Sequence, residues 1–304
     1  MKNLTLLTIA LLAHALVIFG QQREPIIDVH LHCYDRWSPV GRDTSWCPQQ
    51  FKFPTTTDEI MQKSLKAMEE YNIVRAVTSG SLLNLDEYKK AAPNRIIPGY
   101  ELSKAPTKEL IEQLRQRILA GNLKVFAELS VQYGGISPSD TIMDAFYDLA
   151  EEYDIPIGIH IGLGPSGSAY MGRYRSRLSS PLLLEEALVR HPKARVYVMH
   201  AGWPMLDDMV AMLYAFPNLY VDVGVIDWYI PQAEFYTYLK RLMDAGFGKR
   251  IMYGSDQMEW AQAIDASIKA IETAPFLTKA QKRDIFYNNA VRFFKLDELA
   301  KSQK

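Results

Sequence analysis

A single rhythm limits what this chain can fold into. From residue 25 onward, short runs rich in β-branched and apolar residues alternate with amphipathic helical stretches, and the pair recurs eight times. Strand character covers 25–32, 73–79, 95–101, 123–130, 155–161, 195–200, 219–223 and 250–255. Helical periodicity occupies 58–71, with Thr57 as its cap, then 85–91, 108–120, 140–153, 181–190, 204–215 and 232–245, and a closing pair at 262–273 and 278–294. Strands separated by helices run parallel, because each crossover returns the chain to the same end of the sheet. Eight such units in one domain predict a (β/α)8 TIM barrel with C-terminal helices. An open doubly wound sheet shares the alternation. Against it, the turn after the first strand has no Gly-x-Gly-x-x-Gly, and nothing marks a dinucleotide crevice.

Charge and composition narrow the class of partner. The 304 residues are 48% apolar, with 34 basic against 35 acidic side chains and a formal charge of -1. That balance predicts a soluble globular protein with no nucleic-acid partner. Residues 1–20 read as a secretory signal: Lys2 is basic, 4–19 is apolar, and Gly20 precedes Gln21 and Gln22. Its removal takes away Lys2 alone, leaving 33 basic and 35 acidic residues and a charge of -2. The expectation is one exported domain over 21–304, periplasmic or extracellular and free of the membrane after cleavage. An uncleaved anchor is the alternative, since about 17 residues can span a bilayer. Cys33 and Cys47 could close a loop of about 15 residues, worth about 3 kcal/mol, but Cys33 alternates to the strand face opposite His32. Homo-oligomerisation stays open.

The first strand carries Asp28-Val29-His30-Leu31-His32. Alternation puts His30 and His32 on one face and Val29 and Leu31 on the other. An isolated His-x-His is more often structural than ligating. Here, however, His160 ends the fifth strand, His200 ends the sixth and Asp256 follows the eighth, and outside the signal only His191 lies elsewhere, before Pro192 at a helix end. In a barrel all carboxyl ends meet at one mouth, so these five residues can share a site. Imidazole nitrogen and carboxylate oxygen suit a borderline divalent cation, Zn2+ first, and an open position would lower the pKa of water to about 7. Taken singly, Asp256 could be a helix cap and His200 a core histidine.

Together, Asp28 to His32, Gly158-Ile159-His160, Val198-Met199-His200-Ala201-Gly202 and Tyr253-Gly254-Ser255-Asp256 resemble the amidohydrolase superfamily, in its amidohydrolase-related branch of hydrolases, lactonases and nonoxidative decarboxylases. The resemblance runs from Ile26 to about Leu296. It implies that His30, His32, His160 and Asp256 hold or neighbour a metal, and that Asp256 takes the proton of the attacking water. It implies too that His200 either ligates or contacts the water and the reacting oxygen. Two-metal members carry a bridging lysine or glutamate on strand four. Lys124 lies at the wrong end of that strand. Glu128 lies at the right one, sharing a face with Phe126 by alternation, as a possible ligand or the partner of a rim arginine. One ion or two is left open.

Loops after barrel strands carry specificity. Arg173, Arg175 and Arg177 after strand five suggest an anionic or polyhydroxylated small-molecule substrate, although a solvated loop explains them equally. The five tryptophans, Trp37, Trp46, Trp203, Trp228 and Trp260, all fall in mouth-side loops or loop-helix junctions, where Trp203 could stack on a substrate ring or simply pack. The chain is expected to hydrolyse an ester, lactone or amide. A nonoxidative decarboxylase on the same ligands and a noncatalytic binding barrel are the alternatives.

Overall fold

The computed structural model of the chain describes residues 23–35, 51–170, 172–296 and 299. Strands β1 (Ile26–Cys33), β2 (Ile73–Gly80), β3 (Ile96–Leu102), β4 (Val125–Leu129), β5 (Ile157–His160), β6 (Val196–Met199), β7 (Tyr220–Asp222) and β8 (Ile251–Met252) form one sheet in sequence order. Every neighbouring pair in that order is parallel. The two edges meet through Val29 N donating to Tyr253 O at 3.0 Å, His32 N to Gln257 O at 3.0 Å and Asp256 N to His30 O at 2.7 Å. A closed barrel results, the architecture that the sequence reading favours over the open sheet.

Helices α1 (Thr57–Glu70), α2 (Leu82–Ala91), α3 (Lys108–Leu119), α4 (Asp144–Tyr153), α5 (Glu185–Arg190) and α6 (Leu206–Ala215) follow the first six strands. After β7 comes a short helix that the sequence reading lacks, α7 (Ile226–Tyr229), then α8 (Gln232–Asp244); α9 (Gln262–Glu272), α10 (Lys279–Arg283) and α11 (Asn289–Phe294) close the chain. The last predicted helix is divided by a π turn over Asp284–Asn288. Thr56, not Thr57, caps α1, its side chain accepting from Glu59 N. Among the described residues no helix is long and apolar enough to cross a membrane; residues 1–20 and Cys47 lie outside them.

Two apolar layers hold the barrel. Between strands and helices, Leu31, Met68, Leu114 and Phe146 belong to a large outer core, where Phe126 meets Phe146 edge-on at 5.0 Å. Inside the barrel, Ile27, Val29, Val125, Ala127, Tyr197 and Met252 form a plug, closed from below by Tyr287, Phe293 and Phe294. Burial of such aliphatic and aromatic side chains stabilises by about 1.5–3 kcal/mol each.

Strict alternation fails where plug gives way to mouth. Val29 belongs to the inner plug, yet His30 beside it also turns inward to the polar cluster described below, and the pairing of β1 with β2 shifts register between Asp28 and Leu31. The same happens in β4. Phe126 packs outward, Ala127 lies in the plug, and Glu128 turns to the cluster, with a register shift against β5 between Phe126 and Leu129. Such irregularities re-aim a side chain. Two sequence expectations are thereby corrected: Val29 does not oppose His30, and Glu128 does not share the face of Phe126.

Candidate metal and active site

His30, His32, Glu128, His160, His200 and Asp256 meet at the carboxyl ends of the strands, all of them buried. The Nε2 atoms of His30 and His32 are 3.2 Å apart. Asp256 Oδ1 lies 3.4 Å from the first and 3.1 Å from the second, and Glu128 Oε2 lies 3.6 and 3.5 Å away. His200 Nε2 is 3.3 Å from Glu128 Oε1 and 3.0 Å from His160 Nδ1, and that His160 nitrogen is itself paired with Glu128. Two triads therefore have ligating atoms close enough to share an ion: His30, His32 and Asp256, and His30, Glu128 and His200. His160 reaches the cluster through Nδ1, while its Nε2 is buried without a hydrogen-bond partner.

Groups behind the cluster decide what it presents. His200 Nδ1 faces the Gly224 carbonyl at 2.9 Å. A carbonyl only accepts, so this nitrogen carries the proton and Nε2 offers a lone pair. His30 Nδ1 lies 3.3 Å from Asp222 Oδ2, and His32 Nδ1 lies 3.3 Å from Glu101 Oε2 and from Ser79 Oγ. Carboxylates at those positions likewise favour the proton on Nδ1 and turn both Nε2 lone pairs toward each other and toward Asp256. Lone pairs and carboxylate oxygens packed at these distances repel unless something positive lies among them. Nitrogen and oxygen donors backed by carboxylates therefore fit a divalent cation.

Electrostatics agree with this geometry. Burial disfavours a charged imidazole at His30 and His32, but Asp256 with Asp222 beside the first, and Asp256 with Glu101 beside the second, raise both well above the ordinary histidine value. Burial would also raise the acids. His160 nevertheless holds Glu128 well below the usual carboxylate range, and His30 and His32 hold Asp256 below it. His160 is lowered by its own burial, with His200 adding to that effect.

The backbone supports this crowding at defined points. A Cβ on Gly254 would meet His30 Cβ at 2.6 Å, and one on Gly224 would meet His30 Nδ1 at 2.9 Å, so only glycine admits the His30 ring there. Asp28 Oδ1 accepts from His30 N and Ser255 N, both at 3.0 Å, and ties β1 to the segment after β8. His200, Val225 and Asp256 have φ of 60°, 60° and 46°. For the β-branched Val225 that is an outlier of the kind that collects at functional sites.

Above the cluster opens a cavity of about 600 Å3. Tyr34, Glu101, Tyr133, Trp203, Tyr229 and Met258 are among the residues that line it. Trp203, proposed from sequence to contact substrate, is therefore on the wall, with its Nε1 donating to Glu234 at 3.2 Å. Arg173, Arg175 and Arg177 are exposed and are not among the described residues that line the cavity, in keeping with the solvated loop that the sequence equally allowed. Trp228 and Trp260 pack against each other at 6.3 Å and against Phe51 and Phe53, while Trp37 and Trp46 lie outside the described residues. His191 is the C-cap residue of α5, its N–H donating to Ala187 O at 2.9 Å, and its buried ring stacks on Tyr147 at 5.0 Å.

Sequence reasoning missed Glu101 and Asp222. Both stand at or beside the carboxyl end of a strand, the criterion that selected His160, and a search extended from histidine to carboxylates would have found them. Asp222 Oδ1 also accepts from His200 N at 3.1 Å and Gly224 N at 2.8 Å, so one side chain braces two of the cluster's histidines. Nearby Asp227 is buried with both oxygens unpartnered, and burial with the Asp222 charge raises it well above the usual carboxylate value.

Comparison with known proteins agrees with the geometry. The amidohydrolase family model matches residues 27–296. No curated protein matches the chain. An uncharacterised TIM-barrel protein from Bordetella bronchiseptica superposes with a TM-score of 0.69 at 17% identity, covering 90% of this chain and 99% of that one. A probable 2-pyrone-4,6-dicarboxylic acid hydrolase from Acinetobacter baumannii, solved with citric acid, gives 0.61 at 14% identity over 90% and 100%. The 2,6-dihydroxybenzoate decarboxylase from Rhizobium gives 0.60 at 14% over 90% and 99%. With the family model spanning most of the chain and the barrel shared by these structures, the protein is an enzyme of the amidohydrolase family.

Proposed function

We propose that the chain is a metal-dependent hydrolase of esters, lactones or amides, with zinc as the metal. The observation that supports this most is the meeting of three imidazole Nε2 atoms with Glu128 and Asp256 at a cavity floor, each imidazole backed at Nδ1 by an acceptor. In this reading His30, His32 and Asp256 hold the ion, with His200 and Glu128 completing the set or holding a second ion, and His160 adjoining through Glu128. A divalent ion there supplies Lewis acidity and a lowered pKa for water.

The chain's own residues do the rest. Asp256, kept ionised beside the histidines, accepts the proton of the attacking water at a carboxylate oxygen and returns it to the leaving group. His200 has its Nδ1 proton committed to Gly224, so its Nε2 suits ligation better than donation to the developing oxyanion. Tyr34 stacks on His32 at 4.3 Å and fixes the plane of that ring. Export directed by residues 1–20 belongs to the same proposal.

The test is to load purified protein with zinc and follow hydrolysis of simple esters, lactones and amides together with carbon dioxide release from aromatic acids. Hydrolysis that disappears on chelation and returns with metal supports the reading. Carbon dioxide release without hydrolysis replaces it with the decarboxylase.

A further inference from the structure

Resting on the hydrolase reading, the charge pattern of the cavity carries a statement about substrate class. Three carboxylates reach its wall or floor: Glu101, Glu128 and Asp256. With a single divalent ion bound, two of them balance its charge and Glu101 leaves a negative side chain over. Among the described residues the only lysine or arginine lining the cavity is Lys104, and it is exposed at the rim. The arginines after β5 face solvent instead.

What the wall offers is apolar surface. Val225, Ile226, Tyr229 and Ile230 form one side, and Tyr133, edge-on to His160 at 5.2 Å, stands on another. Trp203 has its indole N–H already engaged by Glu234, so toward the cavity it presents ring rather than donor. Among the described lining residues a substrate carboxylate would lose its water and meet no guanidinium fork, only the exposed Lys104, which is costly for a buried charge. An apolar body would gain from leaving water.

We propose that the cavity selects carbonyl substrates whose body is uncharged and apolar or aromatic, and discriminates against carboxylated counterparts. This separates the chain from its structural neighbours whose names specify dicarboxylic acid and dihydroxybenzoate ligands.

Matched probes test it. Benzohydroxamic acid and 4-carboxybenzohydroxamic acid are titrated into the zinc-loaded protein by calorimetry, and hydrolysis of phenyl acetate and 4-carboxyphenyl acetate is compared alongside. The neutral member of each pair is expected to bind or react at least about 100-fold better, a ratio within reach of a site that leaves a buried charge unpaired. Ile230→Arg, which adds a fork to the wall, should shrink the binding ratio about 10-fold or more. Equal or tighter binding of the carboxylated hydroxamate overturns the proposal. Selective hydroxamate binding with no ester, lactone or amide hydrolysed leaves the substrate class standing and overturns the hydrolase reading instead.

Discussion

The two ends of the barrel are made from the same strands and hold opposite chemistry. Toward the amino ends, Ile27, Val29, Val125 and Met252 pack into a dry plug sealed by Phe293 and Phe294. Toward the carboxyl ends, a residue or two further along the same strands, His30, Glu128 and Asp256 gather charge and lone pairs. The plug satisfies itself by apolar contact, with the buried Tyr197 hydroxyl donating to Val29 O at 3.1 Å. The mouth does not, because its donor atoms face one another, and it depends on carboxylates behind it and on a cation within it. The register shifts in β1 and β4 mark the boundary between the two. Stability is thus expected to reside below that boundary and activity above it.

Substitutions on either side should separate the two properties. The largest effect is expected from Asp256→Asn: loss of the general base should lower kcat by about 100- to 10,000-fold with little change in melting temperature, as read by steady-state kinetics on protein whose zinc content has been matched to wild type by loading and elemental analysis. In the plug, Phe293→Ala should do the reverse. It removes a ring packed at 5.4 Å from Tyr197 and 5.0 Å from Phe294, so denaturant titration should show a loss of about 3–5 kcal/mol with kcat per folded molecule preserved.

Asp28 lies at the boundary and should make stability depend on pH. Burial pushes its carboxyl from 3.8 up to about 6, so the folded chain holds this proton more tightly than the unfolded one. The stability it contributes is therefore full below pH 3.8 and fades as pH rises through about 6. Compared with wild type, Asp28→Asn should gain by up to about 3 kcal/mol between pH 4 and pH 7 in urea titrations. A difference independent of pH would place Asp28 outside this account. Smaller still, Asp222→Asn should weaken metal affinity by about 10- to 100-fold through the loosened His30 ring and the His200 backbone that it anchors, measured by competition with a chelator. Because Asp222 faces the His30 ring and holds the His200 backbone N–H, metal binding should be affected more than the fold.

The architecture was legible because period and length report directly on strand and helix; the eight-fold alternation placed every strand to within a few residues. The meeting of His30, His32, His160, His200 and Asp256 was legible for a related reason, since position at a strand's carboxyl end fixes position at the mouth. What alternation could not convey was the break in its own period. Glu128 reaches the cluster through a register shift, not by sharing a face with Phe126, and no local sequence signal announced the shift. Glu101 and Asp222 were hidden because carboxylates are common at strand ends. The exposed Arg173, Arg175 and Arg177 show the converse, a residue type suited to a role but carried by a loop that turns it away from the cavity.

The central claim is that the mouth is built around a cation. Calorimetric titration of chelator-treated protein with zinc, repeated for His30→Ala with His32→Ala together, measures it most directly. The account predicts tight binding of one or two equivalents by the wild type, with protons released as the raised histidines give way, and a loss of at least about 100-fold in the double variant. Wild-type protein that binds no zinc, or a double variant that binds it as tightly, would contradict the account.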